Sequence, residues 1–188
     1  MYCLQTQLIL FNGDKMRKIF TLTALLGLFL FTVSCNEGTK ESSAGNDNNI
    51  AKNFSLESLN GHNEISLEDF KGKAVVVNFW ATWCGPCKLE IPFFEKTWRK
   101  YKDKDVVFIG IDVMDDKDSA VNFIEELGIT YINLYDPSGK TSNSYGVVAL
   151  PATFFIDKNG NIAVKHYGSF LGKQSEKAFK SYLKDIME

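Results

Sequence analysis

Cysteine and histidine are scarce in this chain, which has four cysteines and two histidines among 188 residues. Cys84 and Cys87 form the single CxxC pair, and one such pair indicates redox chemistry rather than a disulfide framework. A structural zinc ion takes four ligands, and His62 and His166 lack ligand spacing, so we expect neither a metal nor another cofactor. The net charge is only −2, which gives no reason to expect a nucleic-acid partner, and no internal repeat is visible.

A hydrophobic run long enough for a comfortable membrane span is also missing. The apolar run over residues 19–33 has the length of a signal-peptide core and follows the basic segment Met16-Arg17-Lys18. Its end, Thr32-Val33-Ser34-Cys35, resembles the lipobox of bacterial lipoproteins, although Thr32 stands where most lipoboxes have Leu. This resemblance implies a lipoprotein signal peptide over residues 16–34 and lipidation of Cys35. Ordinary signal cleavage and a retained membrane anchor are the alternatives.

The domain organisation follows from this signal. Residues 1–15 precede a good signal start, so we interpret them as a mis-called extension of the reading frame. Residues 35–49 are rich in Gly, Ser, Asn and charge and predict a flexible tether. Residues 50–188 are then one domain, long enough for a substantial core, and we expect it to be a monomer.

The tetrapeptide Cys84-Gly85-Pro86-Cys87 follows an apolar run of β-formers at residues 74–79 and precedes a helical pattern. A strand would therefore deliver two thiols to a helix N-terminus, where free N–H groups and the helix dipole stabilise a thiolate. The two cysteines can close on each other, so that the second expels a substrate bound to the first. The alternative is a purely structural disulfide. A disulfide that closes a loop of only four residues, however, adds little loop-entropy stabilisation to a fold.

The remaining pattern predicts an α/β domain in which a strand–helix–strand unit demands parallel neighbours. The turn Asn60-Gly61 predicts an N-terminal β-hairpin, and Asn159-Gly160 predicts a late hairpin. Asp118-Ser119 can cap a helix that ends at Leu127-Gly128. The expected segments are strands at residues 74–80, 106–113, 132–135, 152–156 and 162–167, and helices at residues 84–101 and 173–187.

Residues 79–88, with Pro92, resemble the active-site helix of thioredoxin, and residues 150–157 resemble its cis-proline strand. The longer gap between these motifs, the N-terminal hairpin and the export signal are similar to the membrane-anchored TlpA/ResA-like branch. The resemblance implies a thioredoxin-like fold, with a central mixed β-sheet, helices on both faces, an N-terminal β-hairpin extension and an inserted strand–helix unit.

Each residue of the motif has an expected role. Cys84, nearer the helix start, is the nucleophile and should be exposed, whereas Cys87 is the more buried resolving thiol. Gly85 and Pro86 shape the turn and stiffen the first helical positions, although a proline there is also ordinary capping.

The client-binding residues are expected from the resemblance. Trp83 should shield one side of the disulfide, or be a simple core aromatic. Pro151 should be cis and present the backbone of Leu150 beside Cys84, where an extended client peptide could add as a strand. The alternative is a proline at the start of an edge strand.

Asn78 stands where thioredoxin has a buried Asp that helps move the proton of the resolving thiol. Glu90 is the candidate replacement, because it lies three residues after Cys87 on the same helix face and the ResA-like branch has a Glu there. A carboxylate in a redox site often tunes proton transfer. The alternative for Glu90 is a solvated surface residue.

The leading functional hypothesis is an extracytoplasmic thiol–disulfide oxidoreductase that reduces disulfides in exported proteins, with apocytochrome c as a candidate client. Its location would be extracytoplasmic or periplasmic, lipid-anchored to a bacterial membrane, and a membrane dithiol donor would re-reduce it. The alternatives are a disulfide-forming oxidant, a thiol peroxidase and a non-enzymatic client-binding lipoprotein. A thiol peroxidase site resembles the pattern Pro-x-x-x-Thr-x-x-Cys. This chain departs from that pattern, because Asn78 stands where the proline would be and Thr82 lies two residues before Cys84 instead of three.

Overall fold

The computed structural model describes residues 49–61 and 63–188. The predicted extension (residues 1–15), signal peptide (16–34), lipidation site Cys35, tether up to residue 48 and His62 lie outside the described residues. Within the described part of the chain, no helix is both long and apolar enough to cross a membrane.

The strands are β1 (Ser55–Ser58), β2 (Glu64–Ser66), β3 (Ala74–Trp80), β4 (Val106–Val113), β5 (Ile132–Asp136), β6 (Ala152–Ile156) and β7 (Ile162–Tyr167). Within residues 49–61 and 63–188, these seven strands form a single mixed sheet in the order β2-β1-β5-β4-β3-β6-β7. Strands β3, β4 and β5 run parallel, and the β1–β2, β1–β5, β3–β6 and β6–β7 pairs are antiparallel. This confirms the mixed sheet and both hairpins.

Helices cover the two faces of the sheet unequally. The elements are a 3₁₀ helix (Leu67–Phe70), α1 (Gly85–Tyr101), α2 (Lys117–Glu126), α3 (Lys140–Ser144) and α4 (Lys173–Met187). The apolar residues of α1, α2 and α4 share one core with alternate residues of β3 and β4. Tyr145, at the end of α3, packs in a second core together with Phe54 and the other residues of those strands. Because both faces are covered, all seven residues of β3 are buried.

Two details of the helices differ from the sequence prediction. Asp116, rather than Asp118-Ser119, caps α2, because its side chain reaches the backbone N–H of Ser119 three residues on. Gly128 is left-handed after α2, as predicted. Helix α3 was not predicted because Lys-Thr-Ser-Asn-Ser is a weak helix former; a hydrogen bond from the Ser142 N–H to the buried Asp136 carboxylate holds it in place.

The carboxyl ends of the parallel strands place three loops at one edge of the sheet. Trp80 pairs with Asp112, and Asp112 pairs with Tyr135, so the loops after β3, β4 and β5 lie side by side. Strand β6 is antiparallel to β3, with Ala152 opposite Phe79, and therefore begins at this same edge. Ligands of open α/β sheets bind at this kind of edge.

Candidate active site

The β3–α1 junction carries the redox pair. Cys84 is the N-cap of α1, Pro86 lies in the first turn, and Cys84 and Cys87 form a disulfide with their Cα atoms 5.3 Å apart. The Cys84 Sγ accepts a hydrogen bond from the backbone N–H of Cys87 at 3.3 Å. A sulfur at this position faces the unpaired N–H groups of the helix, so negative charge on it is stabilised.

The prediction that Cys84 is exposed is wrong for this disulfide-bonded state. Only 5% of its surface is exposed, against 0% for Cys87. Cys84 belongs to the same core cluster as Trp80 and Ala81, and its sulfur turns back over the first helical turn. The predicted order of accessibility is kept, since Cys87 is the more buried of the two.

The two tryptophans beside the pair have different surroundings. Trp80 is fully buried, with its ring 5.4 Å from that of Phe123, as expected of a core aromatic. Trp83 is 60% exposed, so the simple core reading of Trp83 is wrong. Its indole N–H donates to the carbonyl of Met114 in the loop after β4, at 3.3 Å. The shielding role of Trp83 stays a prediction.

Glu90 is completely buried on α1, which rules out the solvated surface alternative. The Asn78 Nδ2 donates to its Oε1 at 3.1 Å, and the Phe170 N–H donates to its Oε2 at 2.8 Å. Desolvation raises the pKa of Glu90 to about 7, although the hydrogen bonds from Phe170 and Asn78 oppose the rise. The carboxyl therefore titrates near neutral pH, where a proton carrier is useful.

The surroundings of Glu90 include residues that the sequence did not indicate. Asn78 also donates to the Thr153 Oγ1 at 3.1 Å, and its own Oδ1 is buried without a hydrogen-bond partner among the described residues. Thr153 and Phe170 are more than 60 residues from Glu90 along the chain, and nothing in their local sequence marks them.

A carboxylate in the loop after β4 binds the segment before the redox pair. Asp115 accepts hydrogen bonds from the Thr82 backbone N–H and, at 2.9 Å, from the Thr82 hydroxyl. Asp115 was not predicted as a site residue from the sequence. The rule that loops after parallel strands share an edge would have indicated it, since Asp115 follows β4 as Thr82 follows β3.

The start of β6 lies at the same edge. The Leu150–Pro151 peptide bond is cis, as predicted, and the Pro151 carbonyl accepts a hydrogen bond from the Gly168 N–H at 2.9 Å. Leu150 is half-buried and packs against both cores. Its role in client binding stays a prediction.

His166, for which no metal-binding role was expected, packs against an aromatic residue after β7. Its ring stacks on Phe170 at 3.9 Å, and burial lowers the pKa of His166. Among residues 49–61 and 63–188, no three His, Cys, Asp or Glu side chains are grouped as metal ligands.

A buried central strand that presents two bonded cysteines at a helix N-terminus, beside a strand that begins with a cis-proline, defines the thioredoxin-like class of redox proteins. The comparisons agree with this class. The AhpC/TSA family matches residues 48–165. The thiol-disulfide oxidoreductase ResA of Bacillus thuringiensis subsp. konkukian is 37% identical over 172 residues, covering 90% of this chain and 94% of that protein.

Two further relatives point the same way. ResA of Geobacillus kaustophilus is 34% identical over 171 residues, covering 89% of this chain and 97% of its own. The crystal structure of a thiol:disulfide interchange protein of the thioredoxin family from Chlorobium tepidum has a TM-score of 0.64 at 29% identity, covering 74% of this chain and 97% of that chain. This chain therefore belongs to the AhpC/TSA family and, within it, to the ResA-like thiol–disulfide oxidoreductases. It is an enzyme of thiol–disulfide exchange.

Proposed function

We propose that the enzyme works as a reductant, using the reduced Cys84/Cys87 pair to open disulfides in exported proteins. The Gly85-Pro86 spacer, which resembles that of reducing members of the thioredoxin class, carries the direction of this proposal. The asymmetry of the pair at the start of α1 supports the order in which the two thiols act. Cys84 retains some exposure and accepts the Cys87 N–H, whereas Cys87 has no exposed surface. The haem-binding cysteines of apocytochrome c are the candidate client.

In the first step, the Cys84 thiolate attacks one sulfur of the client disulfide. A mixed disulfide forms between Cys84 and the client, and the other client sulfur leaves as a thiolate that takes a proton. The helix N-terminus favours this thiolate because the Cys87 N–H points at the Cys84 sulfur. Gly85 and Pro86 keep the first turn in the shape that this contact requires.

In the second step, Cys87 loses its proton and attacks the Cys84 sulfur. The Cys84–Cys87 disulfide forms, and the second client sulfur leaves, so that two electrons pass from the protein to the client. Glu90 takes the Cys87 proton. Its pKa of about 7 allows the carboxylate to accept a proton and later release it near neutral pH.

Asn78 fits a Glu90 that cycles between two protonation states. Its Nδ2 donates to the ionised carboxylate, and a flip of the amide would present the unpartnered Oδ1 to a protonated carboxyl. The Thr153 hydroxyl can donate to that oxygen after the flip, since a hydroxyl both donates and accepts.

The client would bind at the start of β6. Within the described residues, the backbone of Leu150 takes part in no backbone–backbone hydrogen bond, so its N–H and C=O are available to an added strand. Pro151 cannot donate one. The exposed Trp83 supplies apolar surface at the same edge of the sheet.

The location of the enzyme follows from the predicted signal peptide. We place it outside the cytoplasm, lipid-anchored through Cys35 and acting as a monomer, with a membrane dithiol donor that re-reduces the Cys84–Cys87 disulfide. The anchor keeps the enzyme near such a donor and raises the local concentration of both partners.

The reduction potential of the Cys84–Cys87 pair tests the direction of electron flow. Equilibration of the purified protein with glutathione or dithiothreitol should give a value on the order of −270 to −200 mV, by analogy with thioredoxins and glutaredoxins. A value near −120 mV would instead indicate an oxidant. Rapid turnover of hydrogen peroxide would favour a peroxidase, and full function of Cys84→Ala would favour a non-enzymatic client-binding protein.

A further inference from the structure

A second buried acid lies at the same edge of the sheet and has no role in the steps above. Asp112 is completely buried near the end of β4, next to Trp80 on β3 and Tyr135 on β5. Neither of its carboxylate oxygens accepts a hydrogen bond from an N–H or O–H group among the described residues. A buried, unpaired carboxylate is strongly disfavoured, so the neutral acid is the preferred form.

The titration of Asp112 agrees with this geometry. Burial raises the pKa of Asp112 to about 8, with smaller contributions from the charge of Asp115, from a hydrogen bond that the protonated acid would donate to Asp115, and from the charge of Asp136. Two carboxylates cannot hydrogen-bond to each other unless one carries a proton. Protonated Asp112 can donate to Asp115, and ionised Asp112 can only repel it.

Asp115 connects this acid to the redox segment, because its two oxygens hold the backbone N–H and the hydroxyl of Thr82. Thr82 lies two residues before Cys84. The carbonyl of Met114, in the same short loop, accepts the Trp83 indole N–H. The loop after β4 therefore holds both residues that precede the nucleophile.

The backbone of this loop is strained where it turns. Met114 has a φ of +50°, which a residue with a side chain rarely adopts. Its N–H donates to the Asp136 carbonyl at 3.1 Å, which fixes the turn. A strained residue held by its surroundings is typical of loops that place functional groups.

We propose that Asp112 is a positioning residue for Cys84, acting through Asp115 and Thr82. While Asp112 holds its proton, Asp115 stays hydrogen-bonded to Thr82 and the segment before Cys84 is fixed. When Asp112 loses the proton, the two carboxylates repel, the hold on Thr82 loosens, and negative charge accumulates near the Cys84 thiolate. The proposal rests on Cys84 being the nucleophile, as proposed above.

The other groups near Asp112 do not cancel this repulsion. Asp115 and Asp136 are both acidic, and the Tyr135 hydroxyl donates to the backbone carbonyl of Asp115. Burial raises the pKa of Tyr135 and the positive charge of Lys117 opposes the rise, but Lys117 already forms a salt bridge with the exposed Glu57.

The test follows the Thr82 amide proton by NMR in the oxidised full-length protein, where neither Cys84 nor Cys87 titrates. From pH 6 to 10, the wild type should show a chemical-shift step with its midpoint near 8. Asp112→Asn should abolish the step, because an amide keeps the shape and cannot ionise. The exposed Asp118→Asn on α2 is the matched control and should retain it.

Alkylation of Cys84 in the reduced protein, read by mass spectrometry of its peptide, links the step to reactivity. The pH profile of the wild type should show a second inflection near pH 8 that Asp112→Asn loses. Identical profiles for the two proteins, in either experiment, would overturn the proposal.

Asp115→Asn keeps the proposal testable if Asp112→Asn does not fold. Removing the repelling charge should move the midpoint of the Thr82 step to lower pH, and an unmoved midpoint would contradict the coupling. Failure of the proposed function would give a different result. If Cys84→Ser trapped clients, Cys84 would not be the nucleophile, but the pH-dependent step of the Thr82 amide proton would remain.

Discussion

The buried acid Glu90 should make the stability of the oxidised protein depend on pH in a way that Glu90→Gln removes. Glutamine keeps the size of the side chain and cannot ionise. The Asn78 amide can flip to meet the new NH₂ group with its unpartnered Oδ1, while the Phe170 N–H keeps an acceptor. The substitution should therefore remove the titration with little change in packing.

The sign follows from the raised pKa of the folded state. Below pH 4.5, Glu90 is protonated in both the folded and the unfolded states and contributes no difference. Between pH 4.5 and 7, the unfolded chain releases this proton and the folded chain keeps it, so the wild type loses stability as pH rises. The pKa shift from 4.5 to about 7 corresponds to a loss of about 3 kcal/mol, complete above pH 7.

Urea unfolding of the oxidised proteins at several pH values from 4 to 8 measures this difference. The free energy of unfolding of Glu90→Gln minus that of the wild type should grow by about 3 kcal/mol across this range. Other titrating groups, including Asp112, contribute equally to both proteins and cancel. The exposed Glu126→Gln on α2 should show no comparable change, and a pH-independent difference for Glu90→Gln would refute the reasoning.

Three further predictions concern the redox pair, the core and the N-terminus. Cys87→Ser should trap clients as mixed disulfides on non-reducing gels while Cys84→Ser traps none, and equal trapping would contradict the assigned order. Gly110→Ala should lower the free energy of unfolding by about 1–3 kcal/mol, because a β-carbon there would lie 2.3 Å from a buried amide oxygen on β5. Gly85→Ala, whose β-carbon would meet nothing within 4 Å, is the control, and equal urea midpoints would count against the close approach. Cys35→Ala should release the protein from membranes or leave it unprocessed, and an unmodified peptide spanning Cys35 in mass spectra of the mature protein would exclude lipidation.

Much of the site could be predicted from short stretches of the sequence. The run of β-formers, the CxxC spacing and the helical pattern after it place Cys84 and Cys87 at a strand–helix junction without any distant contact. Helix α3 could not be read in this way, because its residues favour turns and a buried carboxylate on the preceding strand holds it.

The sequence by itself determined the redox chemistry, because two cysteines at this spacing before a helix need only their own backbone to become a reactive pair. It also indicated Glu90 as a candidate, three residues further on. The tertiary structure decided the protonation of the acids, since burial raises the pKa of Glu90 to about 7, while hydrogen bonds from Asn78 on β3 and Phe170 after β7 oppose the rise. Asp115 acquires its place beside Thr82, and Asp112 its place beside Trp80, only when the parallel strands align. The protonation of these acids therefore depends on neighbours that the chain brings from far away.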